Sequence, residues 1–586
     1  MNKNVKHSSV FQRFLPYLLV YKKEMFSALL LGIAGGTATV IITFYTGRGI
    51  DAMIGAQAVN FSALFKILFL LGSLLIVATL SQWLVQLLGN RMSYKAVAEL
   101  RKDTFNHLNQ LPINYYDQTA HGNIISRFTN DLDFVSEAGV AIFNTLFSGM
   151  TIVLISLISM FYLSPTLTLV VLVATPLIFL VTWIVASTSQ RRFSEQQQIV
   201  GDISSFVNEV VGNQKIVKAF QYEESAQQTF DKLNQRLLVQ GQKAQFASSL
   251  TNPLSRFIDH LAYVFIGLLG GLVVIKGTGN LTIGMISSFT IYASQFSKPF
   301  IELSGITTQI QTALAGLERT FNIMDQPQEL PEEADALTLT KAVGEIFFDD
   351  VSFSYLPNTP LIRNLTLRVN PGETVAIVGK TGAGKSTLVN LLMRFYDVTS
   401  GDILIDGHSL TKYTRDSLRK SFGMVLQDTW LFDGTIRENL LLGNPSASDA
   451  EMVAATKSAN IHAFIEKLPA SYDTVIGSSG VKISEGQRQL LTIARTMISE
   501  PPMLILDEAT SSVDTLTEQQ IQRAFLSMMK GKTSFVIAHR LATIREADTI
   551  LVMDQGAIVE IGSHQELLAI ENGFYYQLYH SQFTSE

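Results

Sequence analysis

Over the first half of the chain, long uncharged apolar runs alternate with charged stretches. From about residue 328 the pattern changes to short apolar runs separated by turns. A helix needs about 20 apolar residues to cross a bilayer, and residues 25–47 and 67–89 supply two such runs. Residues 138–190 are uncharged throughout and too long for one crossing, so Pro165 predicts a turn between a third and a fourth span. Residues 257–275 and 281–303 complete six. A polar, proline-bearing segment, 326–333, then precedes the second pattern. The expected organisation is an N-terminal stretch 1–24, a helical membrane domain 25–325, a linker 326–340 and a soluble domain 341–586.

Two charged regions between the runs are not linkers in composition. Residues 94–111 and 203–238 carry apolar positions at helical spacing, which predicts that spans two to five continue as helices beyond the bilayer. Short turns would lie around Asn114-Tyr115-Tyr116-Asp117 and Asn213-Gln214-Lys215-Ile216. The aromatic pair in the first either contacts another domain or sits in a solvated turn. Before the first span, residues 11–21 read as an amphipathic helix at the membrane surface, and residues 1–10 lack the apolar core of a cleaved leader.

Eighteen lysines and arginines lie in the N-terminus and in the second and fourth loops, against Arg48, Lys66 and Lys276 in the others. That asymmetry predicts cytoplasmic termini. Ionisable groups at membrane depth usually face a cavity or a partner. Asp259 at the start of the fifth span, with Gln295, Lys298 and Glu302 along the sixth, are therefore candidates for a polar path. The other reading of the last two is a structural ion pair near the interface. Composition excludes some chemistry: there is no cysteine, hence no disulfide, thiolate metal site or cysteine nucleophile, and a net charge of −6 gives no argument for nucleic acid.

In the second half, the apolar run Thr374 to Val378 leads into Gly379-Lys380-Thr381-Gly382-Ala383-Gly384-Lys385-Ser386 and then a helical pattern. Glycines at this spacing let successive backbone N–H groups curl around an anion at a helix N-terminus. Lys385 reaches the β- and γ-phosphates and the Ser386 hydroxyl meets Mg²⁺. Thr381, Gly382, Gly384 and Thr387 belong to the same cradle. Much later, Met503-Leu504-Ile505-Leu506 ends in Asp507-Glu508. After a phosphate loop, such a pair suits phosphoryl transfer, with Asp507 in the metal shell and Glu508 polarising the attacking water.

The ordered set of motifs resembles the ATP-binding cassette (ABC) transporters over essentially the whole chain. It comprises the phosphate loop, Gln427 in Val425-Leu426-Gln427-Asp428, Ile483-Ser484-Glu485-Gly486-Gln487, the strand ending Asp507-Glu508, Ser511-Ser512-Val513-Asp514 and His539. The resemblance implies an exporter half-transporter. Its expected fold is a membrane all-α domain of six transmembrane helices with long cytoplasmic extensions, fused to a soluble α/β P-loop nucleotide-binding domain. By the same resemblance, Tyr355 stacks on adenine and Gln427 joins Mg²⁺ and water. Ser484, Gly486 and Gln487 close over the γ-phosphate of a nucleotide held by a second cassette. His539 contacts that phosphate, and Asp514 couples the two sites across the dimer.

The implied cofactors are ATP and Mg²⁺. The implied partners are a second half-transporter chain, membrane lipid and a small amphipathic substrate, with no nucleic acid. Glu485 stands where the family usually has glycine, placing a negative charge near the γ-phosphate; Gly477-Ser478-Ser479-Gly480 falls where an acid and an arginine are common. Those departures favour a heterodimer over a homodimer. The expected activity is ATP-driven export of amphipathic or hydrophobic compounds across a bacterial plasma membrane. A lipid flippase and a regulatory subunit without net transport are the alternatives.

Overall fold

The computed structural model describes residues 7–54, 59–276, 281–329, 332–333, 335–356, 359–380, 382–427, 429–477, 480–507, 514–538 and 541–582. The chain forms two compact units, Met1–Gln110 with Ala120–Gln326, and Leu111–Thr119 with Pro327–Glu586.

The first unit is helical. Five helices are long and apolar enough to cross a membrane: Lys22–Asp51, Phe61–Leu108, His121–Leu163, Pro165–Gly212 and Glu223–Lys276. The sixth expected span is the 23-residue helix Ile283–Gly305. It is long enough to cross, but Ser287, Ser288, Thr290, Ser294, Gln295 and Ser297 make it less apolar than the others. A 48-residue helix such as Phe61–Leu108 extends about 72 Å at about 1.5 Å per residue. That is more than twice the ~30 Å hydrocarbon core, so these helices run on as polar extensions. Ser164 breaks the helix at the expected turn: it is extended, its hydroxyl accepts from Leu167 N, and Pro165 opens the next helix, where its missing N–H costs nothing.

Glycines set the closest helix approaches. A Cβ on Gly47 would stand 2.4 Å from Gly284 O, and one on Gly32 would stand 2.2 Å from Phe147 O, so any larger residue would force the helices apart. Asp51 then fastens the first of these contacts. It accepts from the Thr282 hydroxyl at 2.6 Å and from Gly284 N at 2.8 Å, taking up one of the orphan N–H groups where Ile283–Gly305 begins.

The N-terminal helix is His7–Leu19. Its apolar stripe, Val10, Phe14 and Leu18, is buried with Met92, Ala96, Leu100, Leu317 and Phe321, so that face meets protein. Arg13 secures it with a bidentate pair to Asp325, both bonds 2.7 Å. Helix His121–Leu163 contains two π-helical turns, Arg127–Asp131 and Thr145–Gly149. The first delivers Asp131, 5% exposed, to a bidentate pair with Arg319 at 2.7 and 2.6 Å.

In the second unit, a six-stranded sheet runs in the order Ala557–Gly562, Thr549–Asp554, Thr374–Gly379, Thr533–Ile537, Met503–Asp507, Phe422–Val425, parallel except for the first strand. Its central strands read as continuous apolar runs because both faces are covered. Val375, Ile377, Met503, Ile505, Phe535 and Ile537 enter one core, while Ala376, Val378, Leu504, Leu506 and Val536 enter the other. A four-stranded antiparallel sheet begins with Ile346–Phe353 paired to Ile362–Val369 and to Ser400–Ile405. Segment 111–119 belongs to this unit: it contains the short helix Ile113–Gln118, and Asp117 accepts a hydrogen bond from the Tyr396 hydroxyl.

Replacing Arg319 by Met is expected to lower stability by about 2 kcal/mol, because the Asp131 carboxylate stays buried without its counter-charge. Asp131→Asn is expected to cost less. Thermal unfolding midpoints of the purified variants in detergent compare the two.

Candidate nucleotide site

The phosphate loop leaves the carboxyl end of strand Thr374–Gly379, where backbone geometry selects glycine. Gly379 has φ +153, and a Cβ there would meet Met553 O at 2.2 Å; Gly382 and Gly384 have φ +85 and +99. Such positive values are open to glycine at little cost. Gly384 caps helix Lys385–Leu392, so the first N–H groups of that helix face the loop.

Lys385, 9% exposed, donates to Gly379 O at 2.7 Å and Lys380 O at 3.1 Å. Burial pushes its pKa below the usual lysine value, and the negative charge of Asp507 partly opposes that shift. The ammonium is therefore held by two neutral carbonyls, in a place where an arriving phosphate would find it poorly hydrated.

Sheet register brings the carboxylate to the same edge. Asp507 lies opposite Ile537, which lies opposite Ile377, and Val425, two residues before Gln427, lies opposite Leu506. Ser386 and Gln427 are exposed. Hydroxyl, carboxylate and amide oxygens form a hard donor set that suits Mg²⁺ completed by phosphate oxygens and water. Among the described residues, no group of three or more His, Asp or Glu side chains would hold a metal alone.

Several other expected residues carry structural roles in this conformation. Ser484 and Gln487 form a reciprocal cap on helix Glu485–Ile498: Ser484 Oγ accepts from Gln487 N at 3.3 Å, and Gln487 Oε1 accepts from Ser484 N at 2.9 Å. Gly486 is buried beside them. Asp514 caps Thr515–Met529 by accepting from Thr517 N at 3.0 Å, and that bond lowers its pKa. Tyr355 is 41% exposed and meets Phe353 and Tyr396 edge-on, each with ring centroids 4.9 Å away. Its hydroxyl lies 3.3 Å from Thr387 Oγ1 and from Asn390 Nδ2, on the helix that follows the phosphate loop. Thr381, Glu508 and His539 lie outside the described residues.

In the membrane unit, Gln295 Nε2 donates to the buried Thr43 hydroxyl at 2.9 Å, whereas Gln295 Oε1 is buried without a hydrogen-bond partner. Asp259 lies within hydrogen-bond reach of Tyr263. Lys298 and Glu302 pair only loosely at 3.9 Å, both largely exposed.

The sequence reading missed Arg495, Thr429 and Asn439. Arg495 donates to Asn439 O at 2.8 Å and Trp430 O at 3.2 Å, joining the helix that starts at Glu485 to the stretch following Gln427. Nothing in their spacing announces this, because the partners lie 56 and 65 positions apart.

Residues 25–300 match the ABC transporter transmembrane region, and residues 362–511 match the ABC transporter family. The chain belongs to the ABC transporters, as an ATP-hydrolysing half-transporter of the exporter type that uses ATP and Mg²⁺ and crosses the membrane several times. Among its relatives is a Mycobacterium bovis protein named as a fatty acid ABC transporter ATP-binding/permease protein. It is 43% identical over 527 residues, 90% of this chain and 83% of its own. The ABC transporter ATP-binding protein YfiC of Bacillus subtilis is 40% identical over 98% of this chain and 94% of its own. A Staphylococcus aureus ATP-binding/permease protein named for multidrug export is 34% identical over 97% of this chain and 99% of its own. A solved structure titled as a bacterial Atm1-family ABC exporter with ATP bound superposes with a TM-score of 0.79 at 29% identity, covering 97% of this chain and 99% of that one.

Lys385→Ala is expected to weaken ATP binding by about 10- to 100-fold, the range of one lost hydrogen bond to a charged group. The fold should be retained, since alanine removes a buried charge and both apolar cores of the sheet are untouched. Binding of a fluorescent ATP analogue, with the unfolding midpoint as control, measures both.

Proposed function

We propose that this chain exports amphipathic compounds with a large apolar part and neutral polar groups, from the cytoplasmic side of a bacterial plasma membrane, as one half of a dimer. The observation that carries the cargo class is the set of buried, uncharged polar atoms among the membrane helices. Asn90 Oδ1, Asn144 Oδ1, Ser148 Oγ, Ser156 Oγ and Gln295 Oε1 are buried without hydrogen-bond partners. Unpaired buried acceptors and hydroxyls are costly, and a cargo with neutral hydrogen-bonding groups would relieve that cost. The relatives named for fatty acid transport and for multidrug export support the same class, since both names describe molecules with much apolar surface.

In this reading Lys385 and the loop N–H groups hold the triphosphate, Ser386, Gln427 and Asp507 hold Mg²⁺, and Glu508 and His539 act on the attacking water and the γ-phosphate. Ser484, Gly486 and Gln487 close on the partner's nucleotide. The cytoplasmic placement of both termini rests on the lysine and arginine asymmetry.

Dimerisation is supported by two apolar surfaces. Ile216 and Phe220, at the tip between helices Pro165–Gly212 and Glu223–Ser249, are 57% and 78% exposed. On the second unit, Trp430, Phe432 and Val481 line a cleft of about 770 Å³ and are 72%, 58% and 38% exposed. The tip of one subunit would fill the cleft of its partner. The expectation of a different partner chain rested on Glu485 as a charge facing the γ-phosphate together with the altered stretch 477–480. Both oxygens of that carboxylate have partners in its own chain, which weakens the argument for asymmetry.

In inside-out vesicles, the protein is expected to accumulate a lipophilic dye or a fluorescent fatty acid when MgATP is supplied, and Glu508→Gln is expected to abolish both accumulation and hydrolysis. Accumulation that persists in Glu508→Gln, or hydrolysis without any accumulation, would refute export. Because the chain has no native cysteine, Ile216→Cys with Val481→Cys offers one oxidative cross-link. A covalent dimer is expected for two identical chains, whereas co-purification of a second cassette chain without that cross-link would identify a heterodimer.

A further inference from the structure

The carboxylate of Glu485 is turned into its own unit. Oε1 accepts from the Thr429 hydroxyl at 3.0 Å, and Oε2 lies 3.5 Å from Arg488 Nη1, one turn further along the same helix. Thr429 is 7% exposed and stands two residues after Gln427.

The last turn of that helix grips the same stretch of chain. Arg495 donates to Trp430 O, and its bonds to Asn439 reach Phe432, whose N–H donates to Asn439 Oδ1 at 2.8 Å and whose carbonyl accepts from Asn439 Nδ2 at 2.9 Å. Helix Glu485–Ile498 is thus tied at both ends to residues 429–432. Only the Glu485 tie lies beside Gly486 and Gln487. Thr429 and Arg488, its two partners, both line the 770 Å³ cleft, so Glu485 bridges two of that cleft's walls. A glycine at position 485 could make neither bond.

We propose that Glu485 is a positioning residue, locking the first turn of helix Glu485–Ile498 to the loop that carries Gln427, so that movement of that loop when the cleft is filled shifts Gly486 and Gln487 with it. The inference rests on the dimer reading above, in which those residues close on the partner's nucleotide. It makes the departure at position 485 a coupling device within one cassette, where the sequence alone reads it as a repulsive charge.

The test is steady-state MgATP hydrolysis by the full-length protein in its dimer. Thr429→Val and Glu485→Ala are each expected to lower kcat about tenfold, a barrier change of ~1.4 kcal/mol, with the KM for ATP within about twofold of wild type. The double variant should be no slower than Glu485→Ala, since that variant already removes the bond to Thr429. Thr429→Ser should restore the wild-type rate, and Glu485→Gln, which keeps an acceptor for Thr429, should fall between wild type and Glu485→Ala. Unfolding midpoints for Thr429→Val and Thr429→Ser identify any loss due to folding, and valine matches threonine in shape.

Losses that multiply in the double variant would overturn the proposal. So would silence of both single variants, or a changed KM in Glu485→Ala alone, which would place the carboxylate on the partner's nucleotide. Failure of the dimer reading shows separately, as an Ile216→Cys/Val481→Cys chain that does not cross-link together with a wild-type chain that brings down no second cassette.

Discussion

The cassette depends on a buried lysine held at the end of a parallel sheet. Keeping a charged ammonium mostly out of water is unfavourable, and Lys385 accepts that position only because Gly379 O and Lys380 O point at it. Those carbonyls can point there only if the chain turns through positive φ at Gly379, Gly382 and Gly384. The turn in turn needs a strand before it and a helix after it, fixed by two apolar cores on opposite faces of the sheet. Phosphate binding is a direct consequence of that stack of constraints. The site presents oriented N–H groups and a poorly hydrated cation that only neutral carbonyls hold until an anion arrives.

A second constraint governs the membrane unit, where unsatisfied backbone groups are too costly to leave in lipid. Long helices satisfy them internally, and small residues let those helices meet closely enough to pack. The Gly47–Gly284 contact leaves room for nothing else, and Asp51 seals it by capping the neighbouring helix. The same unit keeps several uncharged polar side-chain atoms buried without hydrogen-bond partners, an expense that packing does not explain and that a cargo could relieve.

Economy of side-chain use recurs in the second unit. Ser484 and Gln487 close a helix cap on each other from positions that the family resemblance assigns to a partner's nucleotide. Asp514 caps another helix from a position that the family resemblance assigns to communication between sites. A capping residue is a sound choice for such a task, because its side chain is already anchored to rigid backbone and responds when the helix moves. Glu485 extends the pattern, with each oxygen assigned to a different wall of the same cleft.

Local pattern was enough to read the apolar spans, the break at Pro165, the phosphate loop and the apolar strand ending in Asp507. Each is a property of consecutive residues: hydropathy over about 20 positions, a proline's missing N–H, glycines where φ must be positive, alternate residues entering opposite cores. Tertiary structure alone decided where long-range partners fell. No spacing rule brings Arg319 to Asp131 across 188 positions, Arg495 to Trp430 across 65, or Glu485 to Thr429 across 56. Nor does the amphipathic stripe of His7–Leu19 reveal whether lipid or protein covers it. Periodicity records that a face is apolar, while its neighbour is set by how separate elements pack, and that is where Glu485 changes from a stray charge into a tie.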